Sequence, residues 1–250
     1  MSGHSKWSTI KHKKAASDSK KGKEFTRASN LISLAAKNGG DPTMNPSLAM
    51  AIDKAKSVNM PRANIERAIK KGTGELGGAM IEEVVYEGYG PGGIAILIET
   101  ASDNKNRTVS EVRSTLTKYG GNMASSGAVA YNFEHRGQIE VITKKQDFSE
   151  EEIEEIVINS GATDFELESD RVIVYTEPKD LIAVKKSLES DGLKTESAEL
   201  IYVATNEVSV TELERAEKII KLIDILEDLD DVVSVYANFD ISSEILEKLS

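Results

Sequence analysis

The chain has 250 residues, no cysteine and a formal net charge of −11 at pH 7. The lack of cysteine excludes disulfides, thiolate zinc sites and cysteine nucleophiles, and the longest aliphatic run, residues 94–98, is too short to cross a membrane. The length is typical of a globular protein with one large domain or two to three small ones.

Residues 1–20 are rich in serine and lysine and show neither helical nor alternating periodicity. We expect them to form a flexible arm that becomes ordered on binding a partner. No apolar segment follows, which argues against a secretory signal, although an organellar transit peptide has a similar composition. We expect a cytoplasmic protein without a membrane segment.

The charge is distributed unevenly along the chain. Residues 1–75 contain 15 Lys and Arg and 6 Asp and Glu, a net charge of +9, whereas the remainder has a net charge of −20. This asymmetry predicts a basic nucleic-acid-binding face joined to an acidic body. The alternative is a lysine-rich tail that is simply solvated.

Three short helices are predicted after the arm, over 23–38, 45–58 and 61–72. The first shows helical spacing and stops at Gly39. Asn45 is the predicted cap of the second, with Pro46 at its first position. The third begins at Pro61, with Gly72 as its stop. Together they predict a small all-helical basic domain.

Strand-like alternation begins after the glycine-rich linker 73–80. Residues 81–88 and 93–100 flank the turn YGPGG and predict a hairpin. The segment GYGPGG (88–93) resembles a phosphate-binding loop, but a strand follows it instead of a helix, which favours a plain turn. A helix over 108–119, capped by Thr108, and a strand over 128–134 are predicted next.

The following elements alternate as βαββαβ, which is typical of a ferredoxin-like unit. The predicted strands are 138–143, 163–168, 171–176 and 194–204, and the helices are 150–159 and 179–190. A helix over 211–229 and a strand over 231–239 then complete a second α/β sandwich. The predicted fold is α+β with three domains: 1–77, a discontinuous domain of 78–134 and 205–250, and an inserted ferredoxin-like domain of 135–204.

The residues that would make an enzyme are not apparent. The sequence has no P-loop and no metal motif, and the histidines at 4, 12 and 135 are scattered. Acidic clusters such as residues 149–156 are interpreted as solvated helix faces, with an acidic metal site as the alternative. We therefore predict a non-enzymatic protein with no catalytic residue, no cofactor, no metal and no small-molecule substrate.

The candidate nucleic-acid-binding residues cluster in the basic segment. Lysine and arginine pair with phosphates, and the ring of Trp7 or His12 stacks on a base, although Trp7 could instead anchor the arm. The candidates are Lys6, Trp7, Lys11, His12, Lys13, Lys14, Lys20, Lys21, Lys23, Arg27, Arg62, Arg67, Lys70 and Lys71.

Two further interpretations stay open. The second and third helices could form a helix-turn-helix, but the lysines of the third lie at its C-terminal end, which equally favours phosphate contact or capping. In the loop 102–108, a structural cap is weighed against a functional polar loop of Asn104, Asn106 and Arg107. The ferredoxin-like segment has a net charge of −9 and should repel phosphates.

Several long motifs resemble the YebC family, which includes the mitochondrial translational activator of cytochrome oxidase. They are GHSKW (3–7), IKHKKAA (10–16), GKEFTR (22–27), GGDPTMNP (39–46), NMPRANIERAIKKGTG (59–74), YEGYGPGG (86–93) and DNKNRT (103–108). The resemblance implies three domains and a regulator of gene expression. It favours a translation factor that binds rRNA at the ribosome and aids peptide-bond formation in proline-rich sequences. A DNA-binding transcriptional regulator is the alternative. Ser47 and Ala49 depart from the family pattern, where basic residues are common.

Overall fold

The computed structural model describes residues 18–168, 170–242, 244, 245 and 248. The chain divides into two compact units. One combines the described residues up to 133 with those from 204 onwards, and we call it the split unit. The other, residues 134–203, we call the inserted unit. Helices and mainly antiparallel sheets confirm the predicted α+β class, whereas the predicted boundary near residue 77 stays a prediction.

The elements follow one another in this order. The split unit begins with α1 (Asp18–Ala36), α2 (Pro46–Ser57), α3 (Arg62–Gly72), β1 (Glu82–Tyr89), β2 (Ala95–Ser102), α4 (Lys105–Lys118) and β3 (Asn122–Met123). Then come β4 (Phe133–Ile142), α5 (Glu150–Asn159), β5 (Asp164–Leu167), β6 (Arg171–Thr176), α6 (Leu181–Ser190) and β7 (Thr195–Ala204). The split unit resumes with β8 (Val208–Val210), α7 (Leu213–Glu227), β9 (Val232–Ala237) and β10 (Phe239–Ile241).

Residues 18–72 form a three-helix bundle, here called the helical domain. Its core contains one buried stripe from each helix, including Ala28 and Ile32 of α1, Leu48 of α2 and Ile65 of α3. The predicted cap of α2 is confirmed, because Asn45 Oδ1 accepts a hydrogen bond from the Leu48 amide at 3.1 Å. Pro46 occupies the first turn, where a missing N–H costs no hydrogen bond.

The third helix ends at Gly72, as predicted. Gly72 is the last residue within α3, and Thr73 is the cap. Packing requires glycine at position 72, because a Cβ atom there would overlap the carbonyl oxygen of Ser33 and the side chain of Ala36 on α1. Glycine therefore lets α1 and α3 approach each other closely at this crossing.

We expect Gly72→Ala to destabilise the helical domain by about 1–3 kcal/mol, as overpacking of a tight contact does. The matched control is Gly22→Ala on α1, where an added Cβ meets nothing within 4 Å. That change should instead stabilise the helix by about 0.5–1 kcal/mol. Denaturant unfolding with hydrogen exchange of helical-domain amides measures both, and equal effects of the two substitutions would contradict this account.

The main sheet of the split unit has the order β3-β1-β2-β9. β1 and β2 form the predicted hairpin, with Tyr89 opposite Ala95 at its closed end. β2 is buried along nearly its whole length. Ile96 and Ile98 on one of its faces pack in a core with residues of α4, α7 and β9. This core joins segments from both halves of the split unit.

The predicted strand over 128–134 is wrong. Residues 130–132 form a 3-10 turn, and strand structure begins only at Phe133. The backbone N–H groups here are used by Glu87, whose side chain accepts hydrogen bonds from Gly127, Val129 and Ala130. Burial raises the pKa of Glu87, but these hydrogen bonds outweigh burial and hold the pKa below its ordinary value.

The inserted unit has the sheet order β5-β6-β4-β7, with β6 antiparallel to both β4 and β5. This is the strand order of a βαββαβ ferredoxin-like unit, as predicted. The predicted capping box of α5 is confirmed, since Ser149 and Glu152 exchange hydrogen bonds of 2.8 and 3.3 Å. Within the described residues, no helix combines the length and the apolar character needed to cross a membrane.

Candidate nucleic-acid interface

The structure places only part of the predicted interface. Lys6, Trp7, Lys11, His12, Lys13 and Lys14 lie outside the described residues. So do the side chains of Lys20 and Lys21, whose backbone belongs to the first turns of α1. The structure describes the side chains of the remaining candidates on α1 and α3.

The two described α1 candidates differ in their contacts within the split unit. Lys23 Nζ donates to the backbone oxygen of Asp228 at 2.9 Å and lies 3.5 Å from its carboxylate. Arg27 is partly buried, and its Nε makes no hydrogen bond to the described part of the chain. Lys23 therefore joins the helical domain to the end of α7 while remaining 39% exposed.

The candidates of α3 differ in their partners. Arg62 forms an ion pair with Glu66 one turn later, at 2.9 Å. Lys71 Nζ lies 3.3 Å from the Asp103 carboxylate. Arg67 and Lys70 are exposed and form no ion pair or side-chain hydrogen bond with any residue in the described ranges. The uncompensated charge of α3 is thus concentrated on Arg67 and Lys70, in its C-terminal half.

A surface groove, here called the linker groove, lies beside this charge. It runs between α1, α3 and the segment 76–79, and its volume is about 680 Å³. A smaller depression beside it also contains Arg67 and Leu76, and Lys70 belongs to its wall. Arg67 therefore stands at the border of both concavities.

The loop 102–108 contains a cap, but not the predicted one. Asn104 caps α4, because its Oδ1 accepts a hydrogen bond from the Arg107 amide at 3.1 Å. Thr108 was the predicted cap and is instead buried in the first turn of the helix. Its hydroxyl donates to Asp231 at 2.7 Å. The helix thus begins three residues earlier than predicted, and Asn106 is exposed in its first turn.

Asp231 organises this loop from a distant part of the sequence. Its buried carboxylate accepts hydrogen bonds from Arg107 Nη2 at 2.8 Å, Thr108 at 2.7 Å and Ser102 at 2.9 Å. The hydrogen bond and charge of Asp231 raise the pKa of Arg107. Sequence reasoning did not single out Asp231, since nothing near it marks a partner 124 residues away. A functional role of Asn104, Asn106 and Arg107 beyond this network stays a prediction.

The described residues form neither a metal site nor, at Tyr175, a base-stacking site. Among the described residues, no group of three or more His, Asp or Glu side chains could hold a metal ion. Tyr175 is the one aromatic residue predicted on the two central strands of the inserted unit. It is 5% exposed, and burial raises its pKa. It therefore offers no open ring for stacking on a base.

Comparisons with known proteins agree with this architecture. The family model described as TACO1/YebC protein N-terminal domain matches residues 5–75, and that described as TACO1/YebC second and third domain matches residues 81–239. A protein of Halothermothrix orenii named probable transcriptional regulatory protein is 51% identical over all of this chain and 99% of its own. One of the same name from Trichlorobacter lovleyi is 53% identical over the full length of both.

A solved structure is similar as well. The crystal structure of a conserved hypothetical protein from Aquifex aeolicus has a TM-score of 0.84 and 47% sequence identity. The match covers 92% of this chain and 94% of that one. The resemblance read from the motifs is confirmed, and the chain belongs to the TACO1/YebC family.

Proposed function

We propose that this protein binds nucleic acid through its helical domain and regulates gene expression without being an enzyme. More specifically, it acts in the cytoplasm as a translation factor that binds rRNA at the ribosome. The observation that carries the proposal is the exposed, uncompensated pair Arg67 and Lys70, in a segment of net charge +9 attached to a remainder of −20. Phosphate backbones are attracted to such a surface and repelled by the rest of the chain.

The arrangement of α3 favours backbone contact over base reading. A recognition helix reads bases mainly from its N-terminal part. Here the N-terminal Arg62 is paired with Glu66, whereas the unpaired cations lie nearer the C-terminus. Cations that contact phosphates position a protein on a nucleic acid without reading its sequence. This supports recognition of a folded RNA by shape and charge.

The choice of ribosomal RNA rests on the family. The resemblance to a family that includes a translational activator implies action at the ribosome, where the protein would aid peptide-bond formation on proline-rich sequences. We infer that it does so by positioning the reacting groups, since positioning alone accelerates a bimolecular reaction. The acidic inserted unit would contact protein or orient the helical domain.

A second candidate is a DNA-binding transcriptional regulator that uses the same basic surface. The relatives from Halothermothrix orenii and Trichlorobacter lovleyi are both named probable transcriptional regulatory protein, which favours this candidate. The same residues would bind phosphates in both cases. The two candidate functions therefore differ in the nucleic acid that is bound and not in the protein surface that binds it.

Sedimentation of a cell extract through a sucrose gradient separates the two candidates. We expect the full-length protein in ribosomal fractions at low salt, and we expect nuclease digestion of the RNA to move it to the light fractions. High salt should release it as well, because phosphate contacts weaken as counterions compete. Recovery in light fractions at low salt, together with a footprint on promoter DNA, would replace the translation factor with the transcriptional regulator.

A further inference from the structure

We propose that the linker groove is a binding site for a single unpaired RNA nucleotide, whose base enters the groove while its phosphate contacts Arg67. This inference rests on the proposed function and deepens it. The proposed function, based on charge, does not say which feature of an RNA the helical domain recognises. The inference identifies that feature as an unpaired nucleotide.

Part of the surface of the groove is apolar. It is lined by Phe25 of α1, Ala68 of α3, Met60 from the turn between helices and Leu76 of the linker. Phe25 is only partly buried against the bundle core, so part of its ring remains accessible. Leu76 is 53% exposed. A surface that only bound phosphates would gain nothing from these apolar side chains, whereas an unstacked base is stabilised by contact with them.

Polar side chains also line the groove. Asn64 on α3 is exposed and makes no side-chain hydrogen bond within the described part of the chain, so its amide is available to a base edge. Asp103 contributes a carboxylate at one end of the groove, and its charge is offset by Lys71 at 3.3 Å and Arg107 at 3.4 Å. Because Asp103 is offset in this way, the positive charge of Arg67 gives the groove a net positive charge.

The size of the groove fits this occupant. It is an open surface groove of about 680 Å³, which is large enough to admit one base without enclosing it. Gly77 and Gly78 adopt φ of +64° and +93°, so the linker turns along the groove in a conformation that side chains disfavour. A base inside a duplex is stacked between its neighbours and cannot enter such a groove, whereas a bulged or looped base can.

The test uses two fluorescent RNA hairpins of the same stem, one fully paired and one with a single unpaired 4-thiouridine. We expect the full-length protein to bind the bulged hairpin about tenfold more tightly, since stacking on an aromatic surface contributes about that factor or more. Irradiation should crosslink the 4-thiouridine to residues of α1 or α3 that line the groove.

Two variants address the groove without touching its cations. Ala79→Trp fills it from the exposed linker, and Asn64→Ala removes the amide at its rim. Both should lower the preference for the bulged hairpin at least threefold while leaving affinity for the paired hairpin unchanged. The matched control is Ser114→Trp on the exposed face of α4, which should keep the preference.

The outcomes separate the inference from the proposed function. If the protein binds both hairpins equally, or if Ala79→Trp keeps the preference, the groove assignment is overturned and the phosphate-binding surface stands. Crosslinks that map only outside the groove would overturn it too. If neither hairpin binds, the proposed function fails and the inference fails with it.

Discussion

The double substitution Arg67→Glu and Lys70→Glu is expected to lower affinity for a folded RNA at least about tenfold at physiological salt. Each charge-assisted contact with a phosphate is worth about 1.5–3 kcal/mol, and reversal adds repulsion. The dependence of log affinity on log salt should become shallower by about 1.4–1.8, because each lost phosphate contact removes about 0.7–0.9 from the slope. Fluorescence anisotropy across a salt series measures both quantities.

A control with the same change in net charge is available in the inserted unit. Lys179 and Lys186 are exposed there, and Lys179→Glu with Lys186→Glu should leave affinity and slope nearly unchanged. Arg67→Gln with Lys70→Gln guards against a folding defect, because it removes the charges without placing carboxylates near the end of α3. If the control pair weakened binding as much as the α3 pair, the interface would not lie on the helical domain.

Replacing Asp231 with alanine should destabilise the split unit by about 3–5 kcal/mol. The change leaves the buried hydroxyls of Ser102 and Thr108 without their acceptor and removes the partner of Arg107. Each buried polar group that loses its partner costs about 1–3 kcal/mol. The loss should appear as lower hydrogen-exchange protection in β2, α4 and β9, with the inserted unit unchanged.

The neighbouring residue provides the control. Asp230 is exposed, and Asp230→Ala should change stability by no more than about 0.5 kcal/mol. Asp231→Asn keeps the shape of the side chain but loses its charge, so its effect should lie between those of the two alanine variants. Equal stability of Asp230→Ala and Asp231→Ala would contradict the central role assigned to the buried carboxylate.

The features predicted correctly depend on residues close together in sequence. Asn45 followed by proline marks a helix start, and Ser149 with Glu152 marks a capping box, because each signal lies within one helical turn. The hairpin and the ferredoxin-like order follow from alternation and turn residues in the same way. Such local chemistry acts in the same manner whatever the rest of the chain does.

The features missed depend on partners that are distant in sequence. The segment 128–134 has the sequence pattern of a strand, but backbone N–H groups in and next to it donate hydrogen bonds to Glu87, about 40 residues away in sequence. The helix end at Gly72 is predictable from the sequence, but the close contact with α1 that requires glycine there is not. Thr108 looks like a cap because it resembles one locally, whereas Asp231 holds its hydroxyl. No periodicity or spacing in the sequence encodes these pairings.

In the candidate interface, too, the local features can be predicted from the sequence and the long-range contacts cannot. The basic character of α3 is visible in the sequence, as is the pairing of Arg62 with Glu66 one turn later. The acidic partners of Lys23 and Lys71, however, lie 205 and 32 residues away in sequence. Only the fold separates those cations from Arg67 and Lys70. The linker groove was not foreseen either, since Phe25, Met60 and Leu76 are spread along the chain and come together only in the packed domain.

The interruption of the split unit sets the order in which the nascent chain can fold. β2 pairs with β9, through partners such as Ile96 and Ala237, yet all of residues 134–203 are synthesised between these strands. At 5–20 residues per second, β2 waits roughly 6–30 seconds for its second neighbour. Its apolar edge is open during that time, and open edges of this kind promote aggregation. The unit that is begun first is therefore completed last, and it needs protection during translation more than the inserted unit does.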